Sequence, residues 1–222
     1  RPTRQKQLVE AIHQRTRERA MEGMSEPAKG KMRSASGPGA AAFMLLPTQQ
    51  DHHVEDDLFK AAVVRRMGGA VRPKAEQQNP TCELVGREGR CGMLLDGDQI
   101  HVNQCKRGGH ISRRHDRLAK WLAGWLQEGR VESEVLMEQI HPTQELPEGR
   151  LDVTFESEGR RQWLDVAIVS VSTTNAREAG RRSRIDGVAA RDAEADKRHK
   201  YRGLATPFVM EALGRPGASA RG

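Results

Sequence analysis

The spacing of apolar positions divides the chain into a polar N-terminal third and a patterned remainder. Residues 1–22 predict a basic helix whose apolar stripe is thin, with Leu8, Val9, Ile12 and Ala20 on it. Such a helix reads as a solvated one at the end of a preceding domain. Residues 23–50 carry Gly23, Pro27, Gly30, Gly37, Pro38, Gly39 and Pro47, the markers of a linker, around a short apolar stretch, AAAFMLLP. Residues 54–67 predict a short helix with Leu58, Ala61, Ala62 and Arg65 at helical spacing, stopped by Gly68-Gly69. Residues 111–128 predict the clearest helix, with Ile111, Leu118, Leu122 and Trp125 sharing a face and Gly129 after its end. Three strand-like runs follow at 133–140, 151–156 and 163–171, joined by turns from Pro142 to Gly149 and from Glu158 to Arg161. A polar helical segment over 185–204 and an apolar run over 206–213 complete the pattern. Helix, three strands, helix and strand in that order predict an α/β unit with a mixed sheet.

Composition narrows this. With 222 residues, one domain plus an appendage is expected. Hydrophobic residues make up 36% and aromatic residues 4%, too few to give the whole chain a large core. Three cysteines are an odd count at low density, which argues against a secreted disulfide scaffold. No run of roughly 18 apolar residues exists, so no membrane helix is predicted. The chain opens on Arg1 and shows no signal peptide, so a piece of a longer polypeptide is expected. The net charge of +7 suggests a polyanionic partner, with nucleic acid first.

That charge is unevenly spread. Residues 106–130 hold seven basic and two acidic side chains, 131–158 one basic and eight acidic, and 176–202 nine basic and five acidic. An acidic centre between basic flanks suits an enzyme that holds a divalent cation against a phosphate backbone.

Asp165 lies inside WLDVAIVSV, a run apolar on both faces and hence a buried central strand. A buried carboxylate needs a metal, a basic partner or a place at the strand's exposed end. Alternation places Leu151, Val153 and Phe155 on one face of the preceding strand and Asp152, Thr154 and Glu156 on the other. Twelve residues separate Asp152 from Asp165, so a hairpin can bring the two carboxylates together. Paired carboxylates repel unless a cation lies between them, and oxygen ligands suit Mg²⁺ or Mn²⁺. Glu138 on the strand before could add a third oxygen, although a solvated position suits it as well. Lys197 and Tyr201, four apart on the last helix, share a face from which the ammonium could reach a phosphate.

Cys82, Cys91, His101 and Cys105 form C-x8-C-x9-H-x3-C, a soft donor set suited to tetrahedral Zn²⁺. The second half is well spaced, whereas the first is wider than usual, and His110 and His115 compete for the place of Cys82. Zinc here would fold a segment poor in apolar residues.

In order, CGMLLDGDQIHVNQC, KRGGHISRRHDRL, RLDV, WLDVAIVSV, KRHKY and TPFVMEALG resemble the C-terminal part of non-LTR retrotransposon polyproteins that carry a restriction-like endonuclease. The resemblance covers residues 82 to about 214. It implies a connector over 1–75, a zinc knuckle over 76–110, a PD-(D/E)XK endonuclease domain with an αβββαβ core over 111–214, and a disordered tail over 215–222. It implies Cys82, Cys91, His101 and Cys105 as zinc ligands and Arg114, His115 and Asp116 as the segment between knuckle and nuclease. Asp152 and Asp165 would be the metal-binding acids. Much of the superfamily has a lysine two residues after the second acid, where this chain has Ala167; the retrotransposon branch moves it to the next helix in K-x3-Y, matched by Lys197 and Tyr201. Leu151 stands where the family has proline. Lys106, Arg107, Arg113, Arg114, His115, Arg181, Arg182, Arg198 and Lys200 would grip the nucleic-acid backbone. The implied activity is Mg²⁺-dependent nicking of target DNA in the nucleus, leaving a 3′-hydroxyl that primes a neighbouring reverse transcriptase domain; element RNA is a further implied partner. The other readings of the same residues are a non-catalytic zinc-knuckle module that binds nucleic acid, and a repair or restriction nuclease of the same superfamily.

Overall fold

The structure, a computed structural model, describes residues 4–37, 39–40, 55–66, 81–95, 101, 104–126, 135–136 and 150–221. Glu138 and most of the predicted strand over 133–140 lie outside them.

Three helices open the described chain: α1 (Arg4–Met21), α2 (Glu26–Ala35) and α3 (Asp56–Arg66). Two short antiparallel strands follow, β1 (Val85–Gly86) and β2 (Gly89–Arg90), and then α4 (His110–Trp125). Strand β3 (Val135–Leu136) pairs antiparallel with β4 (Arg150–Leu151). Strand β5 (Val153–Ser157) pairs antiparallel with β6 (Arg160–Val169), and β6 pairs in parallel with β7 (Thr206–Glu211). The link from β6 to β7 runs through α5 (Ala176–Arg184) and α6 (Val188–Lys200), as a parallel pair requires a crossover. The predicted mixed α/β unit is therefore present. The helix expected over 185–204 is shorter and is preceded by a second one, with Ile185, Asp186 and Gly187 between them. Gly187, at φ 66, takes the left-handed turn that admits α6.

Two apolar clusters flank the sheet. Ala119, Leu122 and Ala123 of α4 bury against Val153, Leu164 and Val166, with Leu118, Leu126, Phe155 and Phe208 packed around them. Leu151, Tyr201 and Ala205 form the other cluster, with Trp163 and Leu204 beside it. Strand alternation puts Leu164 and Val166 toward α4, and Trp163 and Asp165 toward α6. Trp125 is not on the buried face, contrary to the expectation from spacing; it is 68% exposed, because the inward stripe of α4 passes through Leu118, Ala119, Leu122 and Leu126. Nor does Leu151 share a face with Val153. The ladder breaks at Asp152, whose own N–H donates to the Leu164 carbonyl (3.1 Å), and Leu151 turns to the α6 side.

The segment expected to be linker contains α2. Its N-cap Ser25 accepts from the Ala28 N–H, and Pro27 sits in the first turn, where a missing N–H costs nothing. Gly30 faces α5, where a Cβ would lie 3.6 Å from the Arg182 carbonyl oxygen, an ordinary contact distance. Asp186 ties this end together, accepting from Arg17 (2.6 Å) and Arg33 (2.7 Å) with Arg215 at 3.4 Å.

Candidate functional site

Two constellations stand at opposite ends of the chemistry, one of oxygen and nitrogen donors and one of sulfur.

The first is built on the break at Asp152. Asp152 Oδ2 accepts the N–H of Val166 (2.7 Å), the residue after Asp165, so the two acidic strands are tied at this point. The same oxygen faces His115 Nε2 at 3.2 Å, while His115 Nδ1 faces Asp116 at 3.2 Å. His115 lies three and seven residues before Leu118 and Leu122, so it points inward with the core stripe of α4. The hydrogen bond that His115 donates to Asp152 is the main cause that raises the His115 pKa to about 9, against the opposing effect of burial; the charges of Asp152 and Asp116 add to it. His115 is thus an imidazolium at neutral pH, donating to both carboxylates.

Asp165 is 4% exposed on the central strand. Its Oδ2 pairs with Lys197 Nζ, and its Oδ1 accepts from Tyr201 OH (3.1 Å). Tyr201 ends α6, so the four-residue spacing delivers both side chains to one carboxylate. Burial first, and the neighbouring Asp165 charge second, push the Tyr201 pKa well up, so the phenol stays protonated and donates. The Arg150 carbonyl lies 3.3 Å from the same hydroxyl, and Lys200 Nζ donates to it (3.1 Å) from above the ring. Of the compensations open to a buried Asp165, the structure provides a basic partner. Sequence reasoning placed Asp152, Asp165, Lys197 and Tyr201 on neighbouring elements; it did not find His115 in contact with Asp152, for which the signal was its phase on the α4 core stripe.

The second constellation gathers Cys82, Cys91, His101 and Cys105, with one donor atom from each within 4.8 Å of all the others. The β1–β2 turn carries Cys82 and Cys91 back together: Cys82 N–H donates to the Met93 carbonyl (2.8 Å) and Cys91 N–H to that of Leu84 (2.9 Å). This local hairpin is why eight intervening residues are no obstacle. Cys105 Sγ lies 3.8 Å from Cys82 Sγ and 3.7 Å from Cys91 Sγ, and His101 Nε2 lies 3.3 Å from Cys91 Sγ. A tetrahedral zinc with Zn–S bonds of about 2.3 Å needs S–S edges of about 3.8 Å, so the donor set fits that ion. All three thiols are free. Hydrogen bonding from the Met93 backbone is the main cause that lowers the Cys91 pKa, while burial raises that of Cys105. His110 and His115 do not compete: His110 Nδ1 faces the Arg107 carbonyl at 3.3 Å, and His115 faces Asp152. Gln104 docks this unit on the sheet domain by donating to the Ser172 carbonyl (2.7 Å).

The basic residues divide by what holds them. Arg107 bonds the Gly89 carbonyl and Glu88, closing the Cys82–Cys91 hairpin. Arg182 bonds the Ser170 carbonyl and Glu178, and Arg198 bonds Ser219 and pairs with Glu194 at 3.7 Å. Arg181 pairs with Asp192 at 3.1 Å on the surface. Arg114 is half-buried, and Lys106 and Arg113 are exposed.

Fold and sites together define a mixed α/β domain joined to a Cys3His unit that can hold a metal. Compared with known proteins, the chain matches no family model, no curated protein and no solved structure. No helix among the described residues is long and apolar enough to cross a membrane.

Proposed function

We propose that the chain is the metal-dependent endonuclease region of a non-LTR retroelement, which nicks target DNA. The observation that carries this reading is that Lys197 and Tyr201 of α6 both reach the buried Asp165 carboxylate on β6, while Asp152, at the break between β4 and β5, accepts the N–H of the next residue, Val166. The order α4, β3, β4–β5, β6, α5, α6, β7, with β7 parallel to β6, supports the αβββαβ core that the resemblance implies, with one helix more in the crossover. Asp152 and Asp165 would hold Mg²⁺, whose chemistry is to supply an activated water and to neutralise the phosphate. Lys197 would leave Asp165 for the scissile phosphate and stabilise its developing charge. Tyr201 would keep Asp165 oriented by continuing to donate to Oδ1. Cys82, Cys91, His101 and Cys105 would hold a structural zinc that orders residues 81–109. Priming of reverse transcription by the nick rests on the resemblance of the ordered motifs.

A second reading has one observation in its favour: Lys197 already neutralises Asp165, as a purely structural ion pair would. The chain would then be a nucleic-acid-binding module without catalysis. Nicking of supercoiled plasmid separates the two. The first reading expects Mg²⁺-dependent nicking by the unmodified protein and loss of at least about a hundredfold in Asp165→Ala. Binding of DNA without any nicking would support the second.

A further inference from the structure

The outer face of α4 has no role in the site just described, yet it carries the largest exposed aromatic surface among the described residues. Trp121 is 57% and Trp125 68% exposed, with near-parallel rings (12°) whose centroids are 6.4 Å apart. Burying both would be the ordinary fate of two indoles in a chain with so few aromatics. Arg113 and Arg117 continue the same line toward the helix start, each four residues from the next, so 113, 117, 121 and 125 form one ridge. At 1.5 Å per residue the ridge is about 18 Å long. Lys120 flanks it, and Arg113, Arg117 and Lys120 are exposed and without a hydrogen bond or ion pair among the described residues. His115, on the inner face, touches Asp152 from the turn where the ridge begins.

We propose that this ridge is a platform for a single DNA strand. Arg113, Arg117 and Lys120 would hold its phosphates, and Trp121 and Trp125 would stack on its unpaired bases. Charge complementarity selects a polyanion: among the described residues of α4, three free cations stand beside one exposed carboxylate, Asp116. The parallel indoles select unpaired bases, because a duplex keeps its base faces stacked on one another. That the strand is the one leading to Asp152 and Asp165 rests on the nuclease reading; the binding itself does not.

The test is a Mg²⁺-free titration of the intact protein with oligo(dT) of about ten nucleotides, read by tryptophan fluorescence. Two of the three tryptophans are on the ridge, so the platform predicts strong quenching. Trp121→Ala/Trp125→Ala should weaken binding by about tenfold or more, and Trp121→Phe/Trp125→Phe should stay within about threefold, because a phenyl ring still stacks. Arg113→Gln/Arg117→Gln should weaken binding and reduce its salt slope by roughly one to two. If the alanine pair fails to fold, quenching of the unmodified protein and the arginine pair decide the matter. Absence of quenching, an alanine pair that folds and binds as tightly as the unmodified protein, an equally strong blunt duplex, or tighter binding of oligo(U) would each overturn the proposal. So would a tryptophan-dependent dimer that abolishes quenching. Asp165→Asn should quench like the unmodified protein whether or not that protein nicks DNA, which keeps the two readings distinguishable.

Discussion

His115 shows most directly how one side chain couples stability to chemistry. Its pKa in the folded chain, about 9, is above the ordinary 6.5, so the folded state binds its proton more tightly. The stabilisation is fully present below pH 6.5 and is lost as pH rises through 9. Because His115 is about one-third exposed, solvent screening reduces the effect to about 1 kcal/mol. Thermal denaturation of the unmodified protein and His115→Gln, compared at pH 6 and pH 10, should show a gap at the lower pH that closes at the higher. An unchanged gap would mean that His115 does not hold a proton between Asp152 and Asp116. The sequence showed that Asp165 had to be compensated, since a carboxylate inside an apolar run has few options. The four-residue spacing of Lys197 and Tyr201 placed both on one helix face and pointed the ammonium at a phosphate; that this face meets Asp165 itself is seen only in the fold. The contact of His115 with Asp152 was legible only in half: its phase with Leu118 and Leu122 turns it inward, but the partner it meets depends on how α4 packs across the sheet, a long-range event.

At the scale of elements, the Cys/His hairpin depends on its donors rather than on a core. Val85, Met93 and Leu94 are exposed, so residues 81–95 bury little apolar surface of their own. The zinc reading therefore predicts one equivalent of zinc per chain by elemental analysis. It also predicts that Cys105→Ser or chelation exposes the remaining thiols to a thiol reagent while β5, β6 and β7 stay folded. Full thiol reactivity in the untreated, zinc-replete protein would contradict it. Strands β5 to β7 were readable from runs of apolar and β-branched residues, and their order with α4 gave the fold class. Helix α2 was missed because Pro27 and Gly30 read as linker markers; Pro27 occupies the first turn, where it is tolerated, and a single interior glycine costs only about 1 kcal/mol. Trp125 was misassigned because its seven-residue offset from Leu118 drifts off the narrow stripe that the sheet covers.

For the whole molecule, the N-terminal helices join the sheet domain through polar contacts more than apolar ones. Burial alone would raise the Asp186 pKa, but Arg17, Arg33 and Arg215 outweigh it and hold the carboxyl at about 2, below its usual 3.8. That contribution is present above pH 3.8 and is lost as pH falls through 2. Asp186→Ala leaves three guanidinium groups facing each other and should cost about 1–3 kcal/mol in chemical denaturation, with faster tryptic cleavage between residues 22 and 37. Equal cleavage in both proteins would mean that the hub does not hold α1 and α2. None of these contacts bears on chemistry as directly as the acidic pair. The central claim, that Asp152 and Asp165 with Lys197 form a metal-dependent nuclease site, is tested most directly by single-turnover cleavage of DNA across a Mg²⁺ titration, with Asp165→Asn and Lys197→Met beside the unmodified protein. The account predicts cleavage that saturates with Mg²⁺ and falls by at least about a hundredfold in either variant while DNA binding persists. Cleavage that is independent of Mg²⁺, unchanged in Asp165→Asn, or absent from a folded, DNA-binding unmodified protein would contradict it.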